Sequence, residues 1–377
     1  MSIKNRTSIF VDCHVFDSGF QGTRTYIQGL YTELIKYQDL NFFLGSNDPD
    51  NLAAIFGKHS NVTYLKYRYH NKYLRLLIDI PKIIKKNKID FAHFQYIVSP
   101  LKRCKYIVTT HDVLFIDFRL YFSFFSKIIN TILYKQSGKR ADIRLTVSEY
   151  SKHKIEQHLG LSHYVITPNA VDFAFFEEYD KEQVKAKVAE EFFLKDYIIY
   201  VSRWEPRKNQ QILLKAFVDL ELYKKHQLLF LGNESIFNHE YHNAFEQLNP
   251  EIKKKIITIK NTDFQTMLLL LRGAKVSVYP SFAEGFGIPP LESVAAKIPT
   301  ICSNKTAMSD FSFFNKFYFD PNNQAEFNQK LKQILEEDLS SEFEKMAHTI
   351  KENYNWKKSA VILYQLLKQK TNQSTIY

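Results

Sequence analysis

The densest chemistry in the chain lies in YPSFAEGFGIPPLESVAAKIPT, residues 279–300. The pattern predicts a strand ending at Tyr279, then a loop carrying Glu284 and Gly285-Phe286-Gly287. A helix follows, starting near Pro289 and Pro290 with Glu292 in its first turn. Two glycines let loop backbone come close to a ligand, and a helix N-terminus offers unpaired N–H groups and a positive dipole end to phosphate oxygens. Two carboxylates stand beside this anion cradle. Carboxylates repel phosphate but accept hydrogen bonds from hydroxyls, and a nucleotide sugar carries both groups. A plain βα turn, with Glu292 complementing the helix dipole, accounts for either carboxylate alone. A second element weighs against that reading. SRWEPRKNQQILLKAF places Arg203 at a strand end and Lys208 at the start of a helix, where the two can neutralise a diphosphate; Arg207 reads as solvated surface. Ligands of open α/β sheets sit at strand C-terminal ends, so both elements point to one crevice.

Short apolar runs alternate with longer helical patterns, the mark of βα units around parallel sheets. Strands are expected at 8–12, 42–44, 62–65, 91–94, 106–110 and 143–147, with helical patterns at 23–36 and 122–135. Further strands are expected at 197–202, 227–231, 256–259, 276–279 and 299–302. The 377 residues exceed what one core usually organises. An α/β chain of two Rossmann-like halves follows, joined by 173–195, an acidic, strand-poor connection that enters a helix. The tail beyond 341 is helical, and its Trp356, Val361, Leu363, Leu366 and Leu367 must bury somewhere. Cys13, Cys104 and Cys302 are odd in number and far apart, which argues against a disulfide framework or a zinc site and for a reducing compartment. No run approaches the roughly 18–20 apolar residues of a spanning helix, so the chain is expected in solution or on a membrane without crossing it.

The net charge of +11 is unevenly spread. Residues 1–170 hold 24 basic and 13 acidic side chains, whereas 171–377 hold 27 of each, and 51–110 alone carry 12 basic against 2 acidic. Nucleic acid, a membrane surface or a phosphorylated substrate would answer such a field. Residues 63–90 interleave Lys and Arg with Tyr, Leu and Ile, which suits a lipid headgroup interface or plain solvated charge. The aromatic stretch 119–140 reads as a core helix, with a part in such an interface as the other reading.

With these residues in hand, the chain resembles the family 4 retaining glycosyltransferases of the GT-B fold. The resemblance rests on E-G-F-G-x-P-x-L-E from Glu284 to Glu292, together with RWEPRKN (203–209), LFLGNE (229–234), TPNAVD (167–172), LTVSEYSK (145–152), TTHD (109–112) and FDPNN (319–323) in the expected order. It implies two Rossmann-like domains with parallel sheets facing across a central cleft. Residues 1–172 would bind the acceptor, 173–195 connect, 196–354 bind the nucleotide sugar, and 355–377 cross back to the N-terminal domain. By the same implication Arg203 and Lys208 hold the donor diphosphate, Glu292 the ribose, and Glu284 with Gly285, Phe286, Gly287 and Ile288 the sugar and distal phosphate. His111 would stand near the reaction centre, and Gly22 and Thr23 would approach the phosphates from the loop 19–23. On residue type alone, His111 reads first as a hydrogen-bonded structural residue. The chain departs from the family at Ala170 and Lys297, where Gly is common, and in the loosely matching loop DSGFQGTRTY.

The expected reaction moves a sugar from a nucleoside diphosphate sugar, GDP-mannose or a UDP-sugar, to a glycan hydroxyl with retained configuration. The acceptor is expected to be lipid-linked, in polysaccharide or lipopolysaccharide assembly at the cytoplasmic face of an inner membrane. Asp48-Pro49-Asp50 reads as a turn rather than a metal site. No metal, cofactor or nucleic-acid partner is expected, and an anionic membrane surface is a candidate partner. A GT-B nucleotide-sugar epimerase and an inactive nucleotide-sugar-binding protein are the alternatives.

Overall fold

Strands buried on both faces read as continuous apolar runs, and such runs build both sheets here. The computed structural model describes residues 6–17, 22–118 and 124–372. The chain divides into Met1–Ala170 with Trp356–Tyr377, and Val171–Asn355.

In the first unit, β1 (Thr7–Asp12), β2 (Leu40–Ser46), β3 (Val62–Lys66), β4 (Phe91–Gln95), β5 (Lys105–Thr109), β6 (Ile143–Thr146) and β7 (Tyr164–Ile166) form one sheet in the order β3-β2-β1-β4-β5-β6-β7. Every pairing is parallel, and β1 runs from Thr7 opposite Leu40 to Asp12 opposite Gly45. The order reverses beside β1, so the C-terminal ends of β1 and β4 form a topological switch point. Three-residue β7 is too short to leave a pattern in the sequence.

Helix α1 (Gly22–Leu34) buries Tyr26, Ile27, Leu30, Tyr31 and Leu34, and each fully buried aliphatic side chain is worth about 1.5–3 kcal/mol. The C-terminal helix Trp356–Asn372 packs on α1 and buries Ser359, Ala360, Leu363 and Leu367. Gly29 makes the contact possible, because a Cβ at that position would lie inside the Trp356 indole. Ser359 Oγ also donates to the Pro168 carbonyl at 2.8 Å, and the Tyr37 and Tyr364 rings stack at 4.1 Å.

Helix α2 (Phe124–Arg140) corrects the expectation of a core helix at 119–140, of which 119–123 lie outside the described residues. Among its described side chains the buried positions are Ser137 and Gly138, while Phe125, Ile128, Ile129 and Ile132 face outward. Small residues seat this helix. A Cβ on Gly138 would strike the Leu161 side chain, and Ser137 Oγ accepts the Val98 N–H at 3.1 Å.

The second unit holds β8 (Tyr197–Val201), β9 (Gln227–Leu231), β10 (Ile256–Ile259), β11 (Val276–Tyr279), β12 (Thr300–Ser303) and β13 (Tyr318–Phe319), parallel in the order β10-β9-β8-β11-β12-β13. Its switch point lies between β8 and β11. The segment 173–195 enters a helix, as its composition suggests. It forms α3 (Lys181–Phe192), capped by Asp180, whose Val188 is buried against α5 (Phe264–Gly273). Arg272 Nη2 further ties the segment down by donating to the Ala174 carbonyl at 2.6 Å. Helix α4 (Gln210–Asp219) follows β8, α6 (Ile288–Ala295) follows β11, and α7 (Ser340–Asn353) packs on α6. Among the described residues no helix is long and apolar enough to cross a membrane.

Candidate active site

In the second unit the loops after β8 and β11 are joined, the Phe282 N–H donating to the Arg207 carbonyl at 2.8 Å. Pro206–Lys208 form a tight turn, and the Tyr200 hydroxyl fixes it by donating to the Lys208 carbonyl at 2.7 Å. Lys208 Nζ thereby reaches Glu284 Oε1 at 2.5 Å. Arg207 is not solvated surface. It is largely buried, with Nη1 3.2 Å from Glu284 Oε2 and 2.7 Å from the Ala283 carbonyl, and Nε 2.6 Å from Glu205 Oε2. Arg203, at the strand end, is 57 % exposed and touches only the rim of this cluster, Nη2 lying 3.5 Å from Glu205 Oε1. One cation is therefore open to a ligand, and two hold Glu284.

The two glutamates differ in electrostatic setting. Burial alone would raise the Glu284 carboxyl, but Lys208 and Arg207 overcome it and hold the group down at about 2. Glu292 is the fifth residue of α6, one turn further in than the sequence suggests, because the helix already starts at Ile288; its side chain has no hydrogen bond or ion pair among the described residues, and burial, with repulsion from Asp172, pushes it up to about 7. Burial lowers Lys208 from the usual lysine value, with Glu284 opposing the shift.

The phosphate cradle is narrower than the sequence suggests. Gly287, at φ 97°, caps α6, and a Cβ there would come within 2.8 Å of Met308 Cγ. Pro289 and Pro290 carry no N–H, so Ile288 and Leu291 supply the first-turn donors. Glu284 spends its own N–H on Thr306 Oγ1 at 2.8 Å. Phe286 packs its ring against Phe311 and Tyr354 and faces the core, leaving only its backbone for a ligand.

In the first unit His111 follows β5 and is buried. Its Nε2 lies 2.6 Å from Gln95 Oε1, and its ring meets the edge of Tyr26 at 4.9 Å and tilts against Tyr96 at 5.3 Å. Burial pushes its pKa down to about 3, so the imidazole is neutral at physiological pH. Gln95 and His93, two residues apart on β4 and hence on one face, support this arrangement, with His93 bonded to Tyr31 and Thr109 at 2.7 and 2.8 Å. Gly22 and Thr23 open α1. A Cβ on Gly22 would meet nothing within 4 Å, and Thr23 Oγ1 is buried without a partner among the described residues. Residues 18–21, including Gly19 of the expected phosphate loop, lie outside the described residues. Asp48 caps a helix by accepting from Asn51 N at 3.1 Å.

Arg203, Lys208, Glu284, Gly285–Gly287, Ile288 and Glu292 thus belong to one switch point, and His111, Gly22 and Thr23 to the other unit. Sequence reasoning missed Glu205, Arg207, Gln95 and Thr306. Only the dense charge of WEPRK hinted at the first two.

The chain is 26% identical over 207 residues to an O-antigen chain mannosyltransferase B of Escherichia coli, a match covering 54% of each chain, so it spans about half that relative's length. It is 24% identical to an O-antigen chain mannosyltransferase of Salmonella typhimurium, covering 75% of this chain and 74% of that one. A sucrose-phosphate synthase structure from Thermosynechococcus elongatus superposes with a TM-score of 0.76 at 16% identity over 98% of this chain and all of that one, which shows the GT-B fold. The family model described as Glycosyltransferase Family 4 matches residues 21–175, and that described as Glycosyl transferases group 1 matches 182–356. Since the two models together take in most of both units, the chain belongs to the family 4, group 1 glycosyltransferases.

Proposed function

We propose that the protein transfers a glycosyl group from a nucleoside diphosphate sugar to a hydroxyl of a glycan acceptor with retention of configuration. The observation that carries this reading is the pairing of an ionised Glu284, locked by Lys208 and Arg207, with an unpartnered Glu292 beside the start of α6. Glu292 accepts the ribose hydroxyls and Glu284 the sugar hydroxyls. Arg203, with the remaining donors of Lys208, stabilises the diphosphate as it leaves. The N–H groups of Gly285–Gly287 and Ile288 meet the distal phosphate. His111, Gly22 and Thr23 are assigned to the sugar and the phosphates by family resemblance alone.

A carboxylate held in two ion pairs is a poor nucleophile, which favours front-face substitution over a glycosyl-Glu284 intermediate. The bond from the anomeric carbon to the phosphate oxygen breaks, the acceptor oxygen bonds on the same face, and the acceptor proton passes to the departing phosphate oxygen. The charge is neutralised by side chains, so turnover should survive EDTA. The relatives named as O-antigen chain mannosyltransferases support mannose as the transferred sugar and a cell-surface or lipopolysaccharide glycan as acceptor; GDP-mannose or a UDP-sugar as donor and a lipid linkage on the acceptor are part of the same proposal. Incubation with a panel of nucleotide sugars, with and without lipid-linked oligosaccharide, should release nucleoside diphosphate only with the matched pair. An epimerised donor, or no product from any donor, would overturn the reading.

A further inference from the structure

The first unit wears part of its apolar content outside. Among its described residues, every exposed large apolar side chain lies on three segments: α2, the helical segment 72–79 and the loop 98–102. On α2, Phe125, Ile128, Ile129 and Ile132 are 78, 43, 54 and 56 % exposed and recur at i, i+3, i+4 and i+7, so they form one stripe. The opposite face is the one that docks. Lys127 Nζ donates to the Ile116 carbonyl at 3.0 Å, Tyr134 stacks on Tyr96 at 4.9 Å, and Ser137 and Gly138 are buried. The helix is seated by polar and small residues and displays its isoleucines. Beyond the stripe, Tyr73, Leu74 and Leu77 are exposed on the helical segment 72–79, as is Leu101 on the loop. That loop links the segment to α2, with Ser99 Oγ donating to the Leu76 carbonyl at 2.7 Å and Arg140 Nη2 to the Pro100 carbonyl at 2.5 Å.

Apart from Asp79, which is buried and accepts the Arg68 and Tyr69 N–H groups, the charged side chains on these elements are basic. Helix α2 carries Lys127, Lys135, Lys139 and Arg140 and no Asp or Glu, and residues 51–78 contain no acidic side chain. By helical spacing Lys139 continues the outward stripe and Lys135 flanks it. Contiguous exposed apolar surface of this kind marks an interaction site. A two-fold contact between copies would set the basic face against itself, whereas an anionic bilayer offers acyl chains to the isoleucines and phosphates to the lysines.

We propose that the outward stripe of α2, continued by the helical segment 72–79 and Leu101, docks the protein on an anionic lipid surface. Phe125, Ile128, Ile129 and Ile132 enter the headgroup boundary and Lys135 and Lys139 meet lipid phosphates. The proposal deepens the glycosyl-transfer reading by stating where a lipid-linked acceptor is met, and its test can fail while that reading stands.

The full chain is sedimented with vesicles of phosphatidylcholine alone or with one quarter phosphatidylglycerol, at low and high salt. Binding is expected to the phosphatidylglycerol vesicles at low salt, to weaken with salt, and to fall at least about tenfold in an Ile128→Asp, Ile129→Asp, Ile132→Asp variant. Because all three side chains are already exposed, this variant should keep the wild-type melting temperature and its release of nucleoside diphosphate to a soluble acceptor. Lys135→Glu with Lys139→Glu should lower binding and flatten its salt dependence. No binding of the wild type at low salt, undiminished binding of the folded triple variant, or a wild-type dimer that the triple variant dissolves without any vesicle binding would overturn the proposal. Absence of nucleoside diphosphate release from every donor would count against the glycosyl-transfer reading and leave the lipid result to stand by itself.

Discussion

Glu284 and Glu292 carry one functional group into opposite settings, and variants should separate them. Glu284→Ala strands Lys208 and Arg207, so a stability loss of about 3–5 kcal/mol is expected along with lost turnover. Arg203 is exposed, so Arg203→Ala should leave the melting curve within about 0.5 kcal/mol of wild type while cutting kcat by roughly 10²–10³-fold. Thermal melts read beside steady-state rates test the pair, and wild-type turnover in Arg203→Ala would remove that residue from the site. Burial pushes Glu292 up to about 7, and its ionised form is the better acceptor, taking a hydroxyl hydrogen bond at each oxygen. The donor KM should therefore fall between pH 6 and 8, and Glu292→Gln should weaken donor binding and flatten that slope. Stability carries the opposite sign. A carboxyl raised in the folded state penalises folding as pH climbs past its unfolded value toward 7, so Glu292→Gln should melt higher than wild type at pH 8 and almost equally at pH 5. The glutamates are legible in the sequence because glycines and prolines punctuate them. Arg207 is not, since its partner Glu284 comes from another strand's loop and only folding reveals the ion pair.

At the scale of elements, the start of α6 is set by backbone rules. Gly287 needs both φ 97° and the space that Met308 leaves, so Gly287→Ala should cost about 1–3 kcal/mol in urea unfolding. Gly22→Ala is the contrast, since among the described residues a Cβ there meets nothing within 4 Å. If Gly22 serves phosphate approach, the variant keeps its stability and loses donor affinity; unchanged kinetics would leave Gly22 as a helix start and nothing more. The strands 197–202 and 276–279 are readable because buried parallel strands are continuous apolar runs. Helix α2 is readable as a helix, but periodicity says only that an apolar stripe exists. Which side faces the sheet is decided by Tyr134, Ser137 and Gly138, residues whose types do not announce burial.

For the whole molecule, the chain leaves the first unit after Ala170, builds the second, and returns at Trp356. Of its two tryptophans, Trp204 is buried in the second unit and Trp356 seats on α1 beside Gly29 in the first. Each unit thus has its own fluorophore. In a Trp204→Phe background, Gly29→Ala should shift Trp356 emission to the red and lower the melting point of the first unit, because the indole loses its notch; an unshifted spectrum would mean that the helix docks without it. Two Rossmann-like halves follow from strand count alone, whereas the docking of the tail on α1 rests on one missing methyl group that composition does not flag.

The notch at Gly29 also sets an order of events during synthesis. Its partner is made only after Val171–Asn355, which at about 5–20 residues per second takes roughly 10–40 s. Throughout that interval the seat on α1 is vacant while the second unit, complete in itself, can close. The unit whose strands are made first is therefore closed only once Trp356 reaches its seat.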